Sequence, residues 1–354
     1  MKLKDLGYNN EIEKLNLATG QEDLVVGRVI TEHKERYIVQ TELGEFEAEI
    51  TGNLRYTATS RASFPAVGDW VTLMVYDAHS AIIHKILPRF STLSRKAVGR
   101  LGDIQIIAAN INYALIVQAV DRDFNLNRLE RYITLCHNSQ IEPIIVLNKI
   151  DLVNEVQLSA MMGHIQNRMP AVQLLSVSAQ TQLGLEELKS LIEPGKTYCL
   201  LGSSGVGKSS LVNVLSKKQK MESKAISEQS NRGQHTTTHR ELLLLDGGGI
   251  LIDNPGMREV GITDTAQGLE KTFDTLLNFS ENCKFKDCTH TVELGCAIIE
   301  AVESGTVDKS LYENYLKMEK EKAHFESSIA EKRKKDKDFG KMVKHFKNLK
   351  KSKR

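Results

Sequence analysis

Long apolar runs are missing from this 354-residue chain. None approaches the ~20 residues a helix needs to cross a bilayer, and the opening MKLKDLGYNN lacks the apolar core of a secretory leader. A membrane-spanning protein and a secreted one are both disfavoured, so the chain reads as cytoplasmic. Cysteine is scarce, five in all, and in a reducing compartment these stay thiols rather than disulfides. Net charge is nearly absent at +2, but unevenly so. Residues 331–354 carry 12 Lys/Arg against 3 Asp/Glu, a local +9 that leaves −7 on residues 1–330. A basic terminal block suits an anionic polymer or surface, or a solvated helix face. The length suits two or three domains with real cores.

What is present centres on Tyr198–Leu215, YCLLGSSGVGKSSLVNVL. An apolar run feeds Gly202-Ser203-Ser204-Gly205-Val206-Gly207-Lys208-Ser209-Ser210, and an apolar-periodic segment follows. This is the phosphate-loop pattern in its strand–loop–helix setting. Glycines let consecutive N–H groups curve around a phosphate, and the following helix start adds positive charge. Lys208 would reach the β- and γ-phosphates, and the Ser209 hydroxyl would ligate Mg²⁺.

Earlier in the chain, the buried-strand run IEPIIVL ends in Asn148-Lys149-Ile150-Asp151. An Asp here accepts hydrogen bonds from guanine's ring N–H and exocyclic amine, and adenine lacks that amine, so GTP and GDP are selected over adenine nucleotides. Asn148 would tie neighbouring loops together, the Lys149 stem would cover the ring face, and Ser178-Ala179 would present an N–H to guanine O6. After the loop helix comes Gly233-Gln234-His235-Thr236-Thr237-Thr238. One of these threonines would close on Mg²⁺ and the γ-phosphate. All three remain open as the ligand, with Thr237 and Thr238 carried as binding candidates. The strand ending in Asp253-Asn254-Pro255-Gly256 would give Mg²⁺ a carboxylate through water and a Gly256 N–H that senses the γ-phosphate. Met257 stands where Ras-like enzymes have a water-orienting Gln. A thioether cannot orient water, so intrinsic turnover should be slow. His235 is the internal candidate for that task, alongside a purely structural loop role.

Flanking this domain, five short β-type segments between Leu24 and Leu87 predict a small barrel, OB-type with an SH3-like barrel as runner-up. Arg55, Tyr56, Arg61 and Phe64 in its long loop suit RNA stacking, or a barrel plug. Arg89, Arg95, Lys96 and Arg100 could extend a positive track along a linker. Near the other end, Cys283-x₄-Cys288-x-His290-x₅-Cys296 supplies three thiols and an imidazole, the ligand set of a closed tetrahedral zinc site. Cys136 and Cys199 sit in apolar runs and read as core.

The order NKID, SA, GSSGVGKS, HTTT, DNPG resembles that of GTPases whose motifs are circularly permuted. With the barrel and cysteine motif, the chain resembles the ribosome small-subunit-dependent GTPase A (RsgA/YjeQ) family over nearly its whole length. The expected organisation is an arm (1–23), an OB-type RNA-binding barrel (24–97), a circularly permuted α/β P-loop GTPase domain (98–261) and a zinc-binding helical domain with a basic tail (262–354). The resemblance implies late maturation of the small ribosomal subunit, rRNA as partner, GTP hydrolysis stimulated by the subunit, and a monomer with no DNA or membrane partner. The expected catalytic residues are Lys208, His235 and Gly256. The alternative is an RNA-binding module in which the nucleotide is structural.

Overall fold

The computed structural model describes residues 2–20, 23–33, 35–58, 60–96, 104–121, 124–216, 240–253 and 266–323. His235, Thr236, Thr237, Thr238, Gly256, Met257, Arg100 and the basic tail lie outside these residues.

The barrel forms from β1 (Val25–His33), β2 (Arg36–Thr41), β3 (Gly44–Ile50), β4 (Trp70–Val75) and β5 (Ser80–Ile86), with the short helix α2 (Gly52–Thr57) between β3 and β4. Alternation along these strands turns Val29, Tyr37, Val39, Phe46, Ala48, Val71, Leu73 and Ile83 into one closed core. The sheet runs β1-β2-β3-β5-β4 and closes through β1–β4, with β3 and β5 parallel and the other pairs antiparallel. Five strands closed this way are the OB arrangement rather than the SH3-like runner-up.

The segment read as a linker contains β6 (Thr92–Lys96), paired antiparallel with β7 (Ile104–Ala109) and anchored by the buried Leu93 and Ala108. Next comes an alternating β/α unit: β8 (Tyr113–Ala119), α3 (Leu126–Asn138), β9 (Glu142–Asn148), α4 (Glu155–Arg168), β10 (Gln173–Ser176), α5 (Leu185–Ser190), β11 (Thr197–Leu201) and α6 (Lys208–Leu215). Strands β10-β9-β8-β11-β13 are parallel neighbours, and β12 (Arg240–Leu244) lies antiparallel to β13 (Ile250–Asp253). Near-continuous apolar runs such as PIIVL and TYCLL are what a sheet buried on both faces requires. Accordingly, Cys136 and Cys199 are fully buried, and burial pushes the Cys199 thiol up to about 12.

Strand β12 also pairs with β1, so barrel and α/β unit share one sheet of 11 strands. The opening segment lies against this joint. It forms a 3₁₀ turn (Leu3–Leu6) and α1 (Asn10–Leu17), with Leu6 and Ile12 buried in the same core as Trp70 and Tyr8 edge-on to the indole. At the centre sits Arg28, 1% exposed. Its guanidinium donates to the carbonyls of Leu6, Gly68 and Asn110 and to Thr197 Oγ1, between 2.5 and 3.2 Å, and packs over Trp70. Burial lowers its pKa to about 9.

Beyond the α/β unit, helices at Ala266–Thr272, Asp274–Leu277, Ala297–Glu303 and residues 309–323 enclose their own core, including Phe273, Leu276, Ile298, Leu311 and Tyr315. Among the described residues, no helix is long and apolar enough to cross a membrane.

Candidate functional site

In a parallel sheet, ligands belong at the carboxyl ends of the strands. There β11 delivers Gly202, β9 delivers Asn148, β10 leads into Ser178, β8 into Asp121, and β13 ends in Asp253. The loop after β11 takes its shape from three glycines in the left-handed region, Gly202 (φ 140°), Gly205 (φ 84°) and Gly207 (φ 97°). A Cβ on Gly202 would lie 2.3 Å from the Val117 carbonyl oxygen, and one on Gly207 would lie 2.2 Å from Asn148 Nδ2. At Gly205 nothing lies within 4 Å, so that arc of the loop faces open space. Lys208, the first residue of α6, sends its ammonium back over the loop to the carbonyls of Gly202 (2.7 Å) and Ser203 (2.5 Å). Val206 anchors the loop in the core, whereas Ser204, Ser209 and Ser210 are exposed. A glycine-shaped loop with an open arc and one cation at the start of the following helix suits a polyphosphate.

Asn148 joins this loop to the neighbouring ones. Its Nδ2 donates to the Val206 carbonyl at 2.8 Å, and its Oδ1 accepts the Ala179 N–H at 3.2 Å, with the side chain 1% exposed. Ser178, fully buried, donates Oγ to Asp151 Oδ1 at 2.5 Å and accepts from the Thr181 N–H. A carboxylate has room for about four hydrogen bonds, so Asp151 keeps capacity for a ligand beyond Ser178. The NKID and SA segments, separated by 26 residues of sequence, therefore form one unit with the phosphate loop.

Two participants carried no sequence signal. Asp121 accepts Lys149 Nζ at 2.9 Å, which fixes the end of the lysine side chain. Arg128 Nη1 donates to Ser203 Oγ at 2.9 Å. Their partners are 28 and 75 residues away, and no local pattern marks either residue. Only their positions after β8, Asp121 near its end and Arg128 in the first turn of α3, could have pointed to them.

The barrel-loop residues divide. Tyr56 is 91% exposed, whereas Phe64 packs on the barrel core, as the plug reading has it. Arg55 pairs with Glu35 at 3.1 Å. Arg89 does not belong to a free positive track. Its guanidinium is forked onto buried Asp69 at 2.6 and 2.7 Å and also holds the carbonyls of Ala62 and Phe64. It is structural because a buried carboxylate needs a partner.

The second cluster lies between the C-terminal helices. The ligand atoms of Cys283, Cys288, His290 and Cys296 all lie within 4.8 Å of one another. Cys283 and Cys296 Sγ are 3.9 Å apart, and His290 Nδ1 lies 3.6 and 3.4 Å from them. A tetrahedron with Zn–S bonds of about 2.3 Å has S···S edges of about 3.8 Å, so four soft or borderline donors stand at zinc spacing. The ring is aimed by its backbone. His290 has φ 57°, and its carbonyl is held by Tyr312 Oη at 2.7 Å. The adjoining loop is fastened by the Glu293 carboxylate, which accepts the N–H groups of Thr289, Thr291 and Val292 and the Thr289 hydroxyl. These bonds hold it well below the usual carboxylate range.

Comparison with known proteins agrees with this geometry. The family model described as RsgA GTPase matches residues 86–263. A second model, ABC transporter, matches residues 185–342; the two overlap across the phosphate loop, which both classes of nucleotide hydrolase contain. The chain is 41% identical over 346 residues to "Small ribosomal subunit biogenesis GTPase RsgA 1" of Bacteroides thetaiotaomicron, covering 97% of this chain and 96% of that protein. It is 42% identical over 306 residues to "Small ribosomal subunit biogenesis GTPase RsgA 2" of Lactiplantibacillus plantarum, with 86% of each covered. Among solved structures, YjeQ from Thermotoga maritima superposes with TM-score 0.62 at 28% identity, over 85% of this chain and 99% of that one. YloQ, described as a circularly permuted GTPase, superposes with TM-score 0.62 at 25% identity, over 86% and 96%.

Proposed function

The chain belongs to the RsgA GTPase family, and on that premise we propose that it hydrolyses GTP in the maturation of the small ribosomal subunit. The observation that carries the site assignment is the Asn148 bridge, which makes the phosphate loop and the base-reading loops one rigid pocket. On this reading Asp151 reads guanine, Lys149, held by Asp121, covers its ring, and Ala179 lies at its O6 edge. The N–H groups from Gly202 to Ser210 cradle the phosphates beside Lys208. Ser209, in the first turn of α6, and Asp253, at the end of β13, would hold Mg²⁺, which offsets charge on the transferred phosphoryl group. One of Thr236, Thr237 and Thr238 would close on Mg²⁺ and the γ-phosphate, the Gly256 N–H would sense that phosphate, and His235 would orient the attacking water because Met257 cannot. Cys283, Cys288, His290 and Cys296 hold one structural Zn²⁺, a closed set with no open position for catalysis.

The barrel (24–97) and the zinc-bearing helices with the basic tail (262–354) are then the surfaces that meet rRNA, flanking the GTPase domain (98–261). The protein works as a cytoplasmic monomer, without DNA or membrane partners. The test is GTP hydrolysis by the full chain with and without purified small subunits. Slow turnover alone and faster turnover with subunits is the expected result, and no hydrolysis in either condition would overturn it. Lys208→Ala separates this from a nucleotide of structural role. An enzyme loses turnover, whereas a module loses only stability.

A further inference from the structure

Helix α3 touches the phosphate loop and the C-terminal helices from different faces. Leu129, Ile133 and Cys136 bury one face in the core. In its first turn, Arg128 reaches Ser203, the residue after the first loop glycine. The Ser203 carbonyl is one of the two that hold the Lys208 ammonium, so Arg128 and Lys208 meet on the same residue.

The other face carries Asn127, Glu130, Arg131, His137 and Asn138, at spacings that keep them on one side of the helix. Arg168 of α4 donates to Glu130 Oε1 at 2.8 Å, to Asn127 Oδ1 at 2.9 Å and to Ser310 Oγ at 2.7 Å. Asn314 Nδ2 donates to Glu130 Oε2 at 2.5 Å, and Arg131 forks onto Glu321 at 2.7 and 3.2 Å. Asn138 Oδ1 accepts the Gly268 N–H at 2.8 Å, a contact so close that a Cβ on Gly268 would collide with it. Apolar packing would hold two helices together at lower desolvation cost. A directional network, buried at Glu130 and Arg168 and half-buried at Arg131 and Glu321, instead holds a single relative position, so displacing α3 disturbs several bonds at once.

We infer that α3 is a lever between the phosphate loop and the zinc-bearing helices, with Arg128 its positioning residue at the loop and the Asn314 and Glu321 contacts its grip on the helix at 309–323. The inference rests on the reading of the pocket as a GTP site. Phosphates in the cradle draw Lys208 away from the carbonyls of Gly202 and Ser203, which alters the residue Arg128 holds. Linkage makes the effect reciprocal, so a partner bound to the zinc-bearing helices changes nucleotide affinity by the same factor.

The test is amide hydrogen exchange across residues 309–323 of the full chain, with and without a non-hydrolysable GTP analogue whose binding is measured in parallel by calorimetry. In the native chain the analogue should change exchange there by about fivefold or more. Arg128→Gln, and independently Glu321→Gln, which weakens the grip far from the pocket, should lose that response at analogue concentrations that saturate each variant. Binding without any change at 309–323 in the native chain would overturn the lever alone, as would a full response in both variants. Absence of binding in the native chain would overturn the pocket reading, and the lever with it.

Discussion

Gly207 shows how closely the nucleotide pocket is built. Its φ of 97° strains any side chain, and the space a Cβ needs is occupied by the amide that bridges the two halves of the site. Gly207→Ala should therefore displace Asn148 and weaken GTP binding by about tenfold or more, given ~1–3 kcal/mol for a strained left-handed residue. Gly205→Ala carries similar strain but meets no neighbour, so its folded chain should melt closer to the native temperature. Nucleotide titrations beside melting curves check both, and equal behaviour of the two variants would contradict the account. Asp151→Asn should cost about 10²-fold in GTP affinity, because the base-facing acceptor becomes in part a donor. At this scale the loop and base-reading residues were legible because the chemistry needs neighbouring letters. Asp121, Arg128 and Arg28 were not. Arg28 reads as one polar letter in a strand, and its four acceptors come from four separate segments.

Elements were legible where their period was strong. The five β-type segments expected between Leu24 and Leu87 are the five barrel strands, and the IEPIIVL run is β9. The β6–β7 ribbon went unread because Thr92–Lys96 has one apolar residue in five, and its stability comes from pairing rather than pattern. The helix at Ala266–Thr272 docks on α3 through His137, whose Nδ1 lies 3.1 Å from Thr272 Oγ1. Burial, with nearby Lys271 adding repulsion, lowers the His137 pKa to about 4 from 6.5. A depressed folded value means the undocked imidazole takes up a proton that the docked one refuses. Docking is therefore at full strength above pH 6.5 and weakens as pH falls toward 4, by at most about 3 kcal/mol. Hydrogen exchange in 266–272 should rise over that window in the native chain, and His137→Gln should flatten the dependence. Zinc removal belongs to the same scale. Structural zinc contributes folding energy directly, so a strong chelator should raise exchange across 283–296 while leaving β8–β11 protected. Unchanged exchange at 283–296 would speak against a structural ion.

Barrel, opening segment and α/β unit converge at one joint, on Arg28. Removing a buried charge's partners is costly, and removing the charge strands its acceptors. Arg28→Ala should thus destabilise the chain by about 3–5 kcal/mol, and a melting experiment should show barrel and sheet loosening together. That joint was invisible in the sequence, where the first residues read as an arm. The order of domains was visible, because each carried its own signature. The central claim is a guanine triphosphate seated between the phosphate loop and Asp151 despite their reversed order along the chain. Calorimetric titration of the full chain with GTP and with ATP, in Mg²⁺, tests it most directly. GTP should bind at least about 10²-fold more tightly than ATP, and equal affinity for the two nucleotides would contradict the account.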